Sequence, residues 1–246
     1  MRLFRPEPFT VVFNVETPAG RCAGVALPPI LEEEEPVLPP SVLASLPEAE
    51  RAYAATLPVG RAVFWVGGRL ALRAAGAAAL TGRLTSPMTA PILADDRGAP
   101  LLPPSLVGSI SHKEDLAVGL VSTDISWRVG IDLEDPRALR RDISSRVLTA
   151  EEQATLAPLD EPTRRAETLA RFAIKEAIYK ALDPFLRRYI GFQEVTVNRD
   201  AAGTWTAVFT PRPGEGPFQF EISPLTGAMT HIDPLILFAA RARRAP

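Results

Sequence analysis

Apolar and other residues alternate at the start of the chain, where Phe9, Val11, Phe13 and Val15 mark a strand with one buried face. Residues 21–27 form a second apolar run and are expected to pair with it as a hairpin. Residues 32–40 (EEEEPVLPP) then break the pattern with charge and proline. Like-charge runs usually stay hydrated, so this segment is read as a solvated loop in preference to a metal or basic-partner site. Segments 48–57 and 60–80 have helical composition, and 82–104 is a connector rich in Pro, Gly and Asp. Strand signals return at 107–111 and 116–122.

A short turn at 124–126 leads to residues 127–134, where Val129, Ile131 and Leu133 alternate and predict a strand buried on one face. Thr149 with Glu152 has the capping-box spacing and marks a helix start. Residues 162–182 are the longest helix candidate, followed by short strands at 192–197, 204–209, 218–222 and 235–240. Both halves thus run strand, long helix, strands, which predicts an α+β unit used twice with its boundary at 122–127. The expected division is 1–123 and 124–246, although sequence identity between the halves is negligible.

With 246 residues, 46% of them hydrophobic, the chain can bury a core and is neither disordered nor fibrous. A balance of 27 basic against 29 acidic side chains argues against a nucleic-acid binder that relies on bulk positive charge. A polyanionic ligand must instead meet a local basic cluster. The single cysteine, Cys22, excludes an intramolecular disulfide framework and a multi-thiolate zinc site. Residues 70–80, the most apolar stretch, are far shorter than the ~20 residues of a membrane span. The start of the chain shows no secretory h-region, and a cytoplasmic protein is expected. Only three of the 27 basic residues are lysine, namely Lys113, Lys175 and Lys180, and all three fall in segments with candidate chemistry.

On a strand, Asp132 and Glu134 project to the same side, where crowded carboxylates raise each other's pKa unless a cation offsets them. Gly130 lies on that side too and is read as leaving room for a bulky ligand. All-oxygen ligation without His or Cys favours Mg²⁺, with Mn²⁺ as the alternative, completed by phosphate oxygens and water. In the long helix, Glu176 shares an apolar stripe with Leu169, Phe172 and Ala173, a costly place unless it pairs with Lys180 or binds a metal. Residues 108–113 (GSISHK) bring Ser111, His112 and Lys113 together as donors for an anion. Arg61, Arg69 and Arg73 recur at helical spacing on roughly one face, and Arg97, Gly98, Ala99 and Pro100 form a turn carrying a further guanidinium. His231 has no such company and is read as structural.

In combination, VGIDLE (129–134), RFAIKEAIYK (171–180) and GSISHK resemble the 4'-phosphopantetheinyl transferases, specifically the monomeric enterobactin- and surfactin-type class. The resemblance spans about residues 61–180. It implies a pseudo-dimer of two similar halves, each a small antiparallel sheet packed on a long helix, with coenzyme A bound between them. It implies transfer of the 4'-phosphopantetheine arm from coenzyme A to a serine of an apo acyl or peptidyl carrier protein, with release of 3',5'-ADP. By the same resemblance, residues 1–123 would serve the phosphate and adenine side, and 124–246 would carry metal binding and catalysis.

Carried over by motif, Asp132, Glu134 and Glu176 would hold Mg²⁺ against the coenzyme A pyrophosphate. Lys180 would offset phosphate charge, Lys175 would bind nearby, and Glu176, then Glu134, would be the base. Ser111 and His112 would contact coenzyme A phosphate, while Arg61, Arg69 and the turn Arg97, Gly98, Ala99 and Pro100 would grip its 3'-phosphate and adenine region. Lys113 stands where relatives often have Cys, and Leu102 and Pro103 stand where they tend to have Trp-Pro. Two other functions use similar residues: a Mg²⁺-dependent phosphohydrolase, and a coenzyme A module without catalysis. A monomer without nucleic-acid or membrane partners is expected.

Overall fold

The structure is a computed structural model, and it describes residues 7–28, 38–81, 87–138, 141–225 and 235–245. The glutamate run, His231 and part of the 82–104 connector lie outside the described residues. The chain divides into two compact units, 1–125 and 126–246, against the expected division at 123/124. Among the described residues no helix is long and apolar enough to cross a membrane.

The first unit holds strands β1 (Val11–Thr17), β2 (Gly20–Ala26), β3 (Val107–Lys113) and β4 (Leu116–Ser122), joined antiparallel in the order β1-β2-β4-β3. Two short helices, α1 (Pro40–Ser45) and α2 (Glu48–Ala54), precede the long helix α3 (Val59–Ala79). The first of these falls at the end of a segment read as loop, because prolines that break a helix interior are tolerated at its first turn. Leu72 and Ala75 of α3 are fully buried and pack with Ala23 and Val121 of the sheet.

In the second unit, β5 (Arg128–Glu134) is followed by the short helices α4 (Ser144–Val147) and α5 (Ala150–Leu156), then by α6 (Glu161–Leu186). Strands β6 (Val195–Arg199) and β7 (Trp205–Phe209) form a two-stranded ribbon. With β8 (Phe218–Pro224) and β9 (Ile236–Arg244), β5 completes an antiparallel sheet in the order β5-β9-β8. The expected strand at 192–197 begins instead with a single 3₁₀ turn, Phe192–Glu194. Each unit is therefore a small antiparallel sheet packed on a long helix, an α+β architecture.

The sequence of α6 explains its length. Asp160 caps its start by accepting from the Thr163 N–H at 2.9 Å, and Pro162 sits in the first turn, where no N–H is missed. Pro184 lies so close to the other end that it removes only one late hydrogen bond, and the helix runs past the expected stop at 182. Arg187, left-handed at φ 46°, then ends it. Ile174, Ile178 and Leu182 are fully buried against Val197, Phe238 and Ala240. Burying side chains of that size stabilises by about 1.5–3 kcal/mol each.

Gly130 fixes how closely β5 and α6 approach. A Cβ built there would lie 1.9 Å from the Ala177 carbonyl oxygen, so the space freed by the missing side chain is filled by helix backbone. This corrects the expectation that Gly130 makes room for a ligand. Gly119 does the same in the first unit, where a Cβ would lie 2.5 Å from the Leu72 nitrogen. In the second unit this draws the acidic end of β5 onto the middle of α6.

Candidate functional site

Asp132 and Glu134 pair with Phe238 and Ile236 of β9, and their alternation with Ile131 and Leu133 holds as the strand period requires. Asp132 is buried and Glu134 half-buried. From α6, the Lys180 ammonium donates to Asp132 Oδ1 at 2.8 Å and to the Ile131 carbonyl at 2.8 Å. Glu176, one turn earlier, is half-buried, and burial lifts its pKa above the ordinary carboxylate range. The Asp132 charge lifts it further, Lys180 pulls it back, and Glu134 adds to the rise. Three carboxylates and one ammonium from a strand and a helix thus share one electrostatic neighbourhood.

The three carboxylates do not form a ready ligand cluster. Among the described residues no three His, Cys, Asp or Glu side chains are gathered so as to hold one ion as placed, Asp132, Glu134 and Glu176 included. The physical reason is charge: like carboxylates repel, and Asp132 leans on Lys180 instead. The donor set itself, all oxygen and anionic, has the chemistry of a hard divalent cation such as Mg²⁺.

Beside Glu176 lies a cavity of about 180 Å³, lined by Tyr179 of α6 and by Tyr189, Ile190, Phe192 and Val195 from the returning chain. Lys175 also borders it, but its ammonium is spent. It donates to Glu152 Oε2 at 2.6 Å, the Val147 carbonyl at 2.8 Å and the Phe192 carbonyl at 3.0 Å, which uses all three of its donors. Lys175 is a buried strut, and the expected role in binding coenzyme A is corrected accordingly; burial lowers its pKa despite the carboxylate. Glu152 also closes the capping box with Thr149 and accepts from the Val197 N–H at 2.8 Å.

In the first unit the predicted residues separate. Arg61 is exposed in the first turn of α3. Arg69 is buried, with its guanidinium 3.9 Å over the Trp65 ring and its Nε donating to the Ile92 carbonyl at 3.1 Å. Burial pulls its pKa down to about 10. Arg73 forks onto the fully buried Glu50 at 3.0 and 2.6 Å. Both tie α3 to neighbouring segments, Arg69 through the Ile92 carbonyl and Arg73 through Glu50 and the Ala90 carbonyl, so Arg69 lies in the interior of the unit and not on an open basic face.

Ser111 and His112 are neighbours on β3 and therefore face opposite sides of the sheet, which corrects the expectation of one joint side-chain cluster. Ser111 is buried, whereas exposed His112 stacks on Phe64 of α3 at 4.3 Å between centroids. The turn from Arg97 to Pro100 is built around Asp95, whose Oδ1 accepts from the Arg97 and Ala99 N–H groups at 2.8 and 2.9 Å. Gly98 supplies the φ of 88° that this turn needs, and the Arg97 side chain is exposed.

With this geometry in place, two family descriptions match the chain. The 4'-phosphopantetheinyl transferase N-terminal domain matches residues 49–122, and the 4'-phosphopantetheinyl transferase superfamily matches residues 128–231. A holo-[acyl-carrier-protein] synthase of Geobacillus kaustophilus is 36% identical over 94 residues, covering 35% of this chain and 71% of that protein. The chain belongs to the 4'-phosphopantetheinyl transferase superfamily. The 4'-phosphopantetheinyl transferases PptT of Mycobacterium tuberculosis and Npt of Nocardia iowensis are 33% and 32% identical over 126 and 103 residues. Those matches cover 50% and 42% of this chain and 55% and 46% of the two relatives, so the chain spans about half the length of these curated relatives. The superfamily match in the second unit contains Asp132, Glu134, Glu176 and Lys180.

Sequence reasoning missed Glu152 as a partner of Lys175 and Glu50 as a partner of Arg73, each 23 residues away. It also missed Arg188, Glu194 and Glu215. Only the capping-box spacing of Glu152 left a mark in the sequence, and that mark reported a different bond.

Proposed function

We propose that the protein transfers the 4'-phosphopantetheine arm of coenzyme A to a serine of an acyl or peptidyl carrier protein, using Mg²⁺ and releasing 3',5'-ADP. The observation that carries this reading is the apposition of Asp132, Glu134, Glu176 and Lys180 at the contact of β5 with α6, inside the stretch matched by the family. Asp132, Glu134 and Glu176 would hold the metal after a change of side-chain rotamer. When bound, Mg²⁺ supplies positive charge to the pyrophosphate oxygens and so stabilises the charge that develops in phosphoryl transfer. Lys180 donates to the same oxygens. Glu176 accepts the serine proton as Oγ bonds to phosphorus and the bond to the 3',5'-ADP oxygen breaks.

Tyr179, Tyr189, Ile190 and Phe192 give the cavity beside Glu176 an apolar and aromatic wall without an available cation, which suits part of the uncharged pantetheine arm better than a phosphate. Exposed His112, Arg61 and Arg97 remain candidates for the nucleotide end. A hydrolase would need only water, and a binding module no carrier.

One assay separates these readings. Apo carrier protein, coenzyme A and Mg²⁺ are incubated with the enzyme and the carrier is weighed. The expected result is a gain of one phosphopantetheine arm, abolished by a chelator and by Asp132→Ala. No gain with several carriers overturns the reading.

A further inference from the structure

Arg187 turns the chain back at the end of α6, and Arg188 follows it on the approach to the cavity wall. The Arg188 guanidinium binds two carboxylates at once. It reaches Glu194 Oε1 and Oε2 at 3.1 and 2.7 Å, and Glu215 Oε1 and Oε2 at 2.5 and 2.8 Å. Its Nη1 also donates to the Tyr189 carbonyl at 2.7 Å. Each carboxylate is tied to backbone in turn: Glu194 accepts from the Gly191 N–H at 2.8 Å, and Glu215 from the Arg212 N–H at 2.8 Å. One planar cation therefore joins three pieces of chain, namely the exit of α6, the 191–194 turn and the 212–215 loop.

An isolated surface ion pair contributes little, but a doubly bidentate fork with all three side chains partly buried fixes geometry as well as charge. Arg188 holds the Glu215 carboxyl down to about 2 and keeps Glu194 below the ordinary range, so both remain ionised at neutral pH. The segment so fixed, from Tyr189 to Val195, supplies wall of the same cavity that Glu176 and Tyr179 line. Lys175 secures the same wall through the Phe192 carbonyl.

We propose that Arg188 is a positioning residue that sets this wall and thereby the affinity for the pantetheine arm, while leaving the nucleotide end of coenzyme A unaffected. The inference rests on the transferase reading above. It assigns Arg188 no contact with the ligand: its donors are engaged by Glu194, Glu215 and Tyr189, and its effect passes through the chain it holds.

Calorimetric titration in Mg²⁺ buffer tests it with two probes, coenzyme A and 3',5'-ADP, which lacks the arm. Arg188→Met is expected to weaken coenzyme A about tenfold, the scale on which indirect couplings act, and to leave 3',5'-ADP within about twofold. Arg188→Lys, a point charge that cannot fork onto both carboxylates, should recover only part of the loss. Glu215→Gln keeps the Glu194 half of the clamp and serves if Arg188→Met folds poorly; it should weaken coenzyme A selectively by a smaller factor. Equal weakening of both probes, or no weakening of coenzyme A, overturns the role of Arg188 and leaves the carrier assay to judge the transferase reading. Failure of the unmodified protein to bind coenzyme A overturns both.

Discussion

Glu176→Gln is expected to lower kcat for carrier modification by about 10²- to 10⁴-fold, the usual contribution of a positioned base. Glutamine keeps the shape of the side chain but cannot accept the serine proton and carries no charge for the metal. Removing a half-buried carboxylate also relieves its repulsion from Asp132 and Glu134, so the variant should unfold at a denaturant concentration no lower than the parent. Steady-state transfer assays with mass detection, paired with urea unfolding, separate the two effects. Undiminished kcat in a folded Glu176→Gln protein would remove Glu176 from the chemistry.

Lys175→Met should act in the opposite way, on stability before activity. It leaves the fully buried Glu152 carboxylate without its cation, and breaking a buried pair in this manner costs about 3–5 kcal/mol. Typical proteins have only about 5–15 kcal/mol in total, so the urea midpoint should fall sharply. The double variant Lys175→Met with Glu152→Gln should recover part of that loss, because the stranded charge is gone. A single variant as stable as the parent but impaired in coenzyme A binding would restore Lys175 to the ligand and overturn its role as a strut.

Much of the architecture was legible because local patterns decide it. The alternation in β5 and the capping box at Thr149 follow from spacing over a few residues, and the two long helices from local composition. The same holds for the approach of Asp132 and Glu134 on one strand face. The missing knowledge concerned partners distant in sequence. Lys175 and Glu176 are adjacent and both charged, and helical periodicity favoured burying the glutamate. The fold buries the lysine more deeply because Glu152, Val147 and Phe192 converge on it from three separate segments. Arg69 and Arg73 likewise look like a basic face until Glu50, Trp65 and the 90–92 backbone are brought to them.

Gly130 shows the same limit at the site itself. A glycine beside two acidic residues reads as space for a ligand, and only the packed helix reveals that Ala177 occupies it. The family match covers the stretch in which Asp132, Glu134, Glu176 and Lys180 meet. The packing differs from the simplest sequence picture on how the carboxylates are arranged, since Asp132 is held by Lys180.

The most direct test is a Mn²⁺ titration followed by electron paramagnetic resonance in the presence of coenzyme A, comparing the unmodified protein with Asp132→Asn, Glu134→Gln and Glu176→Gln. One ion per chain in the parent, with binding weakened by every one of the three substitutions, is the predicted result. Stoichiometric binding that survives all three would place the cation elsewhere and contradict the account.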